Sequence, residues 1–314
     1  MRKKAPKKRG LDAFLAERVG FEPTVALQLR LISSQVHSTT LPPLQGVHGG
    51  SCERAIIRGP ACRDNHSHIR HAAATPFTRP PMIEFGHGTH VGLRRTRNED
   101  TYYADASLGL FLVADGMGGH LHGEVASALV RDAVVELVTR GQPLIEAVQG
   151  AGERLLACTR DRFDPLPMGT TIAALRLAAD SYEVAWVGDS RIYMWQQGLR
   201  QISHDHSLVQ ALVEAGQLDP AKVSNHPQRN VLTQALGVTA AAQLHIGMAR
   251  GRLEAGIGFL LCSDGLTECV EDAAIAQTVA RTDLAAQECV DQLLLSALDA
   301  GGDDNISAVI VRCI

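Results

Sequence analysis

The chain has 314 residues, 45% of them hydrophobic, and a formal net charge of −4 at pH 7. No apolar run reaches the roughly 18 residues of a membrane span, and no secretory signal follows the basic start, so we expect a cytoplasmic protein. The seven cysteines are odd in number and scattered, which argues against a disulfide framework and favours small core residues.

Residues 1–81 differ in kind from the rest of the chain. They carry 13 Lys and Arg against 5 Asp and Glu, whereas residues 82–314 carry 17 against 29. The segment has little periodicity and several Pro and Gly residues, so we predict a disordered basic extension, or a wrongly assigned start, that contributes nothing to activity. Its basic residues lack interleaved aromatics, and Cys52 and Cys62 lack zinc-site spacing, so nucleic-acid and zinc binding are not expected.

From Met82 onward, strand-like and helix-like patterns follow one another. Runs of strand length and composition occupy 82–92, 109–115, 170–177, 182–189, 191–195, 258–264 and 306–314. Helical periods occupy 123–141, 143–160, 207–216 and 283–302. The turn QQGLRQ after RIYMW predicts an antiparallel hairpin. Because strands cluster and helices separate the clusters, we predict an antiparallel, layered α+β domain.

Four acids stand at the ends of predicted core strands. Asp115 follows FLVA, Asp189 follows WVG, Asp264 follows LLCS, and Asp304 precedes NISAVIVR. Any one of them alone is typical of an ordinary turn. Gathered at one end of a sheet, however, they would repel one another unless a cation neutralised them. Oxygen ligands without a His or Cys cluster favour Mg²⁺ or Mn²⁺ over zinc or copper.

The stretch GLRRTRNEDTYY (92–103) supplies positive charge. Glu99 and Asp100 follow three arginines within six residues, and the Tyr pair indicates a strand. Arginine suits a planar, two-pronged grip on phosphate oxygens. A metal cluster beside such an arginine predicts a phosphoester site.

Six motifs stand in order over about residues 86–313. They are Arg95-Thr-Arg-Asn-Glu99-Asp100, Asp115-Gly-Met-Gly-Gly, Met168-Gly-Thr-Thr171, Val187-Gly-Asp-Ser-Arg191, Ser263-Asp-Gly265 and Asp303-Asp-Asn305. In this order they resemble the metal-dependent serine/threonine phosphatases of the type 2C (PPM) family, in the compact bacterial form. The resemblance implies that residues 82–314 form an α-β-β-α sandwich of two antiparallel sheets flanked by helices. It also implies a two-metal centre at one end of the sandwich.

The resemblance assigns roles in a centre that holds two Mn²⁺ or Mg²⁺ ions. Asp115 would bridge both ions, and Gly116 would give its backbone carbonyl to one of them. The other implied ligands, distributed over the two ions, are Glu99, Asp100, Asp264 and Asp304. Asn305 is expected to orient its loop rather than to touch the substrate.

The resemblance further implies that Arg95 binds the phosphate and that Asp189 helps to hold a third, weaker ion. The water shared by the two ions would attack phosphorus in line, so that no phosphoenzyme forms. Some family members have His after the Asp-Gly pair, where this chain has Met117, which cannot donate a proton. The proton donor is then a metal-bound water or a nearby histidine such as His120 or His122.

Residues 205–237 resemble the family's flap beside the cleft, and we predict that they select among phosphoproteins. The expected partners are phosphorylated proteins, namely a bacterial Ser/Thr kinase and its substrates, with no nucleic acid or membrane. The protein is expected to be a monomer. Two alternatives stay open: a catalytically weak scaffold that binds phosphoproteins, and a hydrolase of small phosphate esters. The complete acid set argues against the first, and the open strand-end site against the second.

Overall fold

The computed structural model describes residues 82–118, 122–160 and 168–314. The predictions about residues 1–81 and His120 therefore lie outside the described residues. The strands are β1 (Ile83–His90), β2 (Asp100–Asp105), β3 (Leu110–Met117), β4 (Gly169–Thr170), β5 (Ile172–Leu177), β6 (Ser181–Val187), β7 (Arg191–Trp195), β8 (Leu199–Gln201), β9 (Gly247–Arg252), β10 (Gly258–Cys262) and β11 (Ile306–Cys313). The α-helices are α1 (His122–Thr139), α2 (Leu144–Arg160), α3 (Leu208–Glu214), α4 (Asp264–Thr267), α5 (Asp272–Val279) and α6 (Ala286–Asp299).

The strands form two sheets in which every pairing is antiparallel. One sheet has the order β1-β11-β10-β7-β8, and the other has the order β2-β3-β5-β6-β9, with β4 beside β3. Helices α1 and α2 cover the second sheet, and α6 packs on β1 and β11 of the first. This architecture confirms the predicted α-β-β-α sandwich and the hairpin between β7 and β8.

Strand β3 shows how the layers are made. Leu110 and Leu112 pack in the core beneath α1 and α2, whereas Phe111 and Val113 pack in the core between the two sheets. All four are fully buried, because the strand is covered on both faces and alternate side chains point to opposite sides. The apolar run FLVA therefore anchors the strand on which the next residue, Asp115, is carried.

On the opposite face, α6 lies directly on the backbone of β1. A Cβ atom at Gly86 would overlap the Gln287 backbone, so only glycine permits this approach. The Gln287 side-chain amide accepts a hydrogen bond from His87 N at 3.1 Å and donates one to His87 O at 3.0 Å. Strand β1 is an edge strand whose neighbour in the sheet is β11. The Gln287 side chain of α6 therefore bonds to backbone groups of this edge strand.

Several element boundaries differ from the predicted ones. Strand β3 continues through Gly116 to Met117, because these two residues pair with Thr170 and Gly169 of β4, so Asp115 lies inside the strand rather than at its end. The predicted run 170–177 is split into β4 and β5. Helices α4 and α5 were not predicted because they have 4 and 8 residues, too short for a clear period. Strand β9 was missed because GMARGR has little apolar character.

No helix among the described residues combines the length and the apolar character that a membrane crossing requires.

Candidate metal centre

Asp100 and Asp115 face each other across β2 and β3, where they are paired in register. The main chain of Asp115 is held by two threonines of the next motif. Asp115 N donates to Thr171 Oγ1 at 3.0 Å, and Thr170 Oγ1 and Thr171 N donate to Asp115 O, both at 2.8 Å. The Met-Gly-Thr-Thr motif therefore positions the backbone beneath the predicted bridging carboxylate, a role that the sequence did not reveal.

Asp264 is the first residue of α4, directly after β10 and Ser263. Its carboxyl group lies close enough to Asp115 for its charge to raise the pKa of that residue. Burial raises the pKa of Asp115 well above its usual range, and the charges of Asp100, Asp264 and Asp189 raise it further. Burial likewise raises the pKa of Asp264, together with the charges of Asp189 and other neighbouring acids. These acids are close enough for each to oppose the ionisation of the others.

Asp100 is 8% exposed, and only one of its two carboxylate oxygens has a hydrogen-bond partner among the described residues. Its Oδ2 accepts a hydrogen bond from Ser263 Oγ at 2.7 Å, whereas its Oδ1 is buried without a hydrogen-bond partner among the described residues. Asp264 Oδ1 is likewise buried and has no hydrogen-bond partner among the described residues. Burial raises the pKa of Asp100 to about 6, and the nearby charges of Asp304 and Glu99 add to the effect. Buried, unpaired carboxylate oxygens cost free energy unless a cation or a donor reaches them.

Glu99 lies at the junction of β3 and α1. A Cβ atom at Gly123 would lie 2.5 Å from Glu99 Oε2 and 2.7 Å from the Gly116 carbonyl oxygen, so these two oxygens converge at the start of α1. The two oxygens belong to two of the predicted ligands. No side chain fits at Gly116 itself, because a Cβ atom there would overlap the Gly123 carbonyl oxygen.

Arg95 lies on the exposed side of the acids. Its Nη2 donates to Asp304 Oδ2 at 2.7 Å, and its side chain is 57% exposed. The hydrogen bond to Asp304 raises the pKa of Arg95, and the charges of Glu99 and Asp115 act in the same direction. The arginine therefore borders the acidic cluster and faces solvent, where a phosphate group could reach it.

Asn305 fixes the loop that carries Arg95. Its Nδ2 donates to Val91 O and Arg97 O, both at 2.9 Å, and its Oδ1 accepts from Glu99 N at 2.8 Å. Asn305 is 5% exposed. This agrees with the expectation that Asn305 orients its loop.

Asp189 follows β6 on the loop that leads to β7. Burial and the charge of Asp205 raise its pKa to about 7. Arg191 pairs with Asp205, with Nη2 to Oδ2 at 2.7 Å and Nε to Oδ1 at 3.1 Å. Because the charge of Asp189 acts on both Asp115 and Asp264, this third-ion candidate adjoins the same cluster.

The structure thus brings the predicted acids to one end of the sandwich: Glu99, Asp100, Asp115, Asp189, Asp264 and Asp304. Among the described residues, no three His, Cys, Asp or Glu side chains already stand at metal-ligand spacing. Asp304 instead accepts a hydrogen bond from Arg95, and Asp100 accepts one from Ser263. Two free buried oxygens and an all-oxygen donor set fit a hard divalent cation. The individual ligand roles stay predictions.

The predicted flap (205–237) begins beside Asp189. Ser207 caps α3, and its backbone bridges Leu232. Arg229 contacts Glu268, at the end of α4, over 3.7 Å, and the charge of Glu268 acts on Asp264. Leu236 is fully buried, so the segment is anchored at its far end while most of its middle is exposed.

His122 is the first residue of α1 and precedes Gly123, which lies against the Glu99 carboxylate. Its Nδ1 is buried and lacks a hydrogen-bond partner within the part of the chain that the structure describes. Its role as a proton donor stays a prediction.

Residues 88–299 match the sequence pattern of the Protein phosphatase 2C family. The serine/threonine protein phosphatase PstP of Mycobacterium tuberculosis is 38% identical over 241 residues, which cover 74% of this chain and 45% of that protein. The serine/threonine phosphatase stp of Listeria innocua is 32% identical over 243 residues, covering 71% of this chain and 95% of that protein. The chain therefore spans under half the length of the mycobacterial relative.

Solved structures share the fold. The catalytic domain of PstP in complex with two manganese ions superposes with a TM-score of 0.66 at 32% identity, covering 74% of this chain and 98% of that one. A second PstP structure, from Mycobacterium tuberculosis, gives a TM-score of 0.68 at 34% identity with the same coverage. On these matches of sequence and fold, the chain belongs to the protein phosphatase 2C family.

Proposed function

We propose that residues 82–314 form a metal-dependent phosphatase that hydrolyses phosphoserine and phosphothreonine in proteins. The observation that carries this proposal is the cluster of buried carboxylates with raised pKa values beside the exposed guanidinium of Arg95. Buried acids of this kind are stabilised by divalent cations, and an arginine at their edge suits a phosphate dianion. Family membership and the manganese ions in the related PstP structure support it.

The residues that would hold two Mn²⁺ or Mg²⁺ ions are those predicted from the sequence: Glu99, Asp100, Asp115, Gly116, Asp264 and Asp304, with Asp189 near a third. When bound, such ions lower the pKa of a water molecule and stabilise negative charge on the phosphoryl group. The chain itself orients the substrate. Arg95 engages Asp304 through Nη2, and the other N–H groups of its exposed guanidinium suit two phosphate oxygens.

The thiol and the hydroxyl that directly precede Asp264 are unsuited to attack phosphorus. Cys262 is fully buried on β10, and burial raises the pKa of its thiol to about 12. The Ser263 hydroxyl is fully buried and donates to Asp100. We therefore propose direct hydrolysis without a phosphoenzyme.

We propose phosphorylated proteins, specifically a Ser/Thr kinase and its substrates, as the partners of a monomeric, cytoplasmic enzyme. The exposed middle of the flap supports an extended substrate, because its side chains are open to contact with a second protein. The names of the relatives, which are serine/threonine phosphatases, support the same class of substrate.

The test is phosphate release from phosphoserine and phosphothreonine peptides with Mn²⁺. We expect turnover that a chelator abolishes and that Asp264→Asn reduces by about a hundredfold or more, because loss of even an outer-shell partner of a metal ligand costs about 10–100-fold. Absence of a phosphoenzyme in acid-quenched samples supports direct hydrolysis. Activity only on small aryl phosphates would favour the small-ester hydrolase, and phosphopeptide binding without turnover would favour the scaffold.

A further inference from the structure

Three arginines lie on one exposed loop beside the metal centre, between β1 and β2. Arg94 Nε contacts Asp303 Oδ1 at 2.8 Å, and Arg95 Nη2 contacts Asp304 Oδ2 at 2.7 Å. Consecutive arginines thus pair with consecutive acids. The side chain of Arg97 is exposed, and none of its guanidinium donors is used by an ion pair or hydrogen bond with a described residue.

The backbone that presents Arg97 is held in place from both sides. Its carbonyl oxygen accepts from Asn305 Nδ2 at 2.9 Å. The next residue, Asn98, donates through Nδ2 to Thr89 Oγ1 at 2.7 Å, which ties the loop to β1. A fixed backbone lowers the entropic cost of binding through this side chain.

The position of Arg97 relative to Arg95 sets what it can reach. The two Cα atoms are separated by two peptide units, at most about 7 Å, and an extended peptide advances roughly 3.3–3.6 Å per residue. Burial raises the pKa of Glu99, and the positive charges of Arg95 and Arg97 both lower it. Both guanidinium groups therefore lie near the Glu99 carboxylate. With a phosphoresidue at Arg95, Arg97 would face a side chain about two residues away.

We propose that Arg97 forms an accessory anion-binding subsite that favours phosphoproteins carrying a second anionic group about two residues from the phosphorylated residue. The group is a carboxylate side chain or a second phosphoryl group, both of which match the planar fork of arginine. This inference rests on the phosphatase function proposed above, and it places part of substrate selection on this loop rather than on the flap alone. Arg94 contributes less because Asp303 already neutralises it.

The test uses the full chain with Mn²⁺ and three matched phosphothreonine peptides. The residue about two positions from the phosphothreonine is neutral in the first peptide, glutamate in the second and a second phosphothreonine in the third. The last two peptides distinguish a carboxylate from a phosphoryl group as the anion that Arg97 binds. Because Arg97 is exposed, we expect kcat/KM to favour the anionic peptides by about threefold, the scale of a solvent-exposed ion pair. Arg97→Gln should bring the ratio close to one, and Arg97→Glu should reverse it. Raising the ionic strength should reduce the preference of the unmodified chain.

The matched control is Arg252→Gln. Arg252 is exposed, and it pairs in register with Ser181 at the end of β6 that lies away from Asp189. This variant should keep the full preference for anionic peptides. Melting temperatures of all three variants identify any change in folding.

The subsite proposal is wrong if the unmodified chain does not prefer the anionic peptides, or if Arg97→Gln keeps the whole preference. Either result leaves the proposed phosphatase function intact. Hydrolysis of p-nitrophenyl phosphate, which has no flanking residues, separates the two failures. If the unmodified chain hydrolyses neither this ester nor any peptide, the proposed function fails and the subsite with it.

Discussion

Ser263 links the acidic cluster to the core of the first sheet. It is fully buried, its Oγ donates to Asp100 Oδ2 at 2.7 Å, and the same oxygen accepts from Ser307 N at 2.9 Å. The hydroxyl therefore satisfies one oxygen of Asp100 and leaves the other without a partner among the described residues. Ser263 is a positioning residue, because it determines how the Asp100 carboxylate is turned.

Replacing Ser263 by Ala should leave Asp100 Oδ2 and Ser307 N without their partner. We expect the free energy of unfolding to fall by about 1–3 kcal/mol, the usual result of orphaning buried polar groups. The affinity for Mn²⁺ should fall about tenfold, as when an outer-sphere partner of a ligand is lost. Urea unfolding and titration calorimetry measure the two effects.

The control for this change is Ser296→Ala on α6, whose hydroxyl donates to Gln292 O within the helix at an exposed position. It should change stability by less than about 0.5 kcal/mol. If Ser263→Ala bound Mn²⁺ as tightly as the unmodified chain, Ser263 would not position Asp100 for a metal.

At the scale of elements, β3 and α1 meet where each contributes a glycine. Gly116 N donates to Glu99 O at 3.1 Å, and a Cβ atom at Gly116 would overlap the Gly123 carbonyl oxygen. This close approach brings the first turn of α1 to the Glu99 side chain. The distance between a strand and a helix thus decides whether one predicted ligand joins the others.

Gly116→Ala should therefore push α1 away from β3. We expect a loss of about 3 kcal/mol in the free energy of unfolding, which is typical of overpacking against backbone, and weaker Mn²⁺ binding. Urea unfolding with and without Mn²⁺ measures both. The matched control is Gly198→Ala in the hairpin between β7 and β8, where an added Cβ meets nothing within 4 Å. Equal stabilities of the two variants would contradict the close approach.

At the scale of the whole molecule, the acidic cluster links stability to pH when divalent ions are removed. Burial and neighbouring charges raise the pKa of Asp100 to about 6 and that of Asp189 to about 7, from a usual value of 3.8. In this window the folded chain binds more protons than the unfolded chain. Stability from these groups is therefore complete below about pH 4 and declines as the pH rises toward 7.

We predict that the melting temperature in a chelating buffer is lower at pH 8 than at pH 5, by about 5 °C or more, since each pKa unit corresponds to about 1.4 kcal/mol. Mn²⁺ should restore it at pH 8, because the ion binds the folded state. Asp189→Asn, which removes one of the charges, should flatten the pH dependence in chelator. An equal melting temperature at both pH values would contradict the electrostatic account of the cluster.

Local patterns in the sequence were sufficient for much of the fold. The run RIYMW (191–195) matches β7 residue for residue, and the apolar runs before Asp115 and Asp264 are buried strands. These features could be predicted because strand alternation and turn residues act between near neighbours along the chain. The ordered motifs likewise named six acids that lie near one another in the structure, but not Asp205 and Glu268, whose charges act on the same cluster.

The sequence by itself determined which residue types are available at the strand ends and hence the chemistry that they favour. Only the tertiary structure decided that Asp100 faces Asp115, that Ser263 bonds to an acid 163 residues away, and that Gly116 admits a helix. The physical reason is that strand register and the approach of helices follow from packing of distant segments, which local periodicity does not encode.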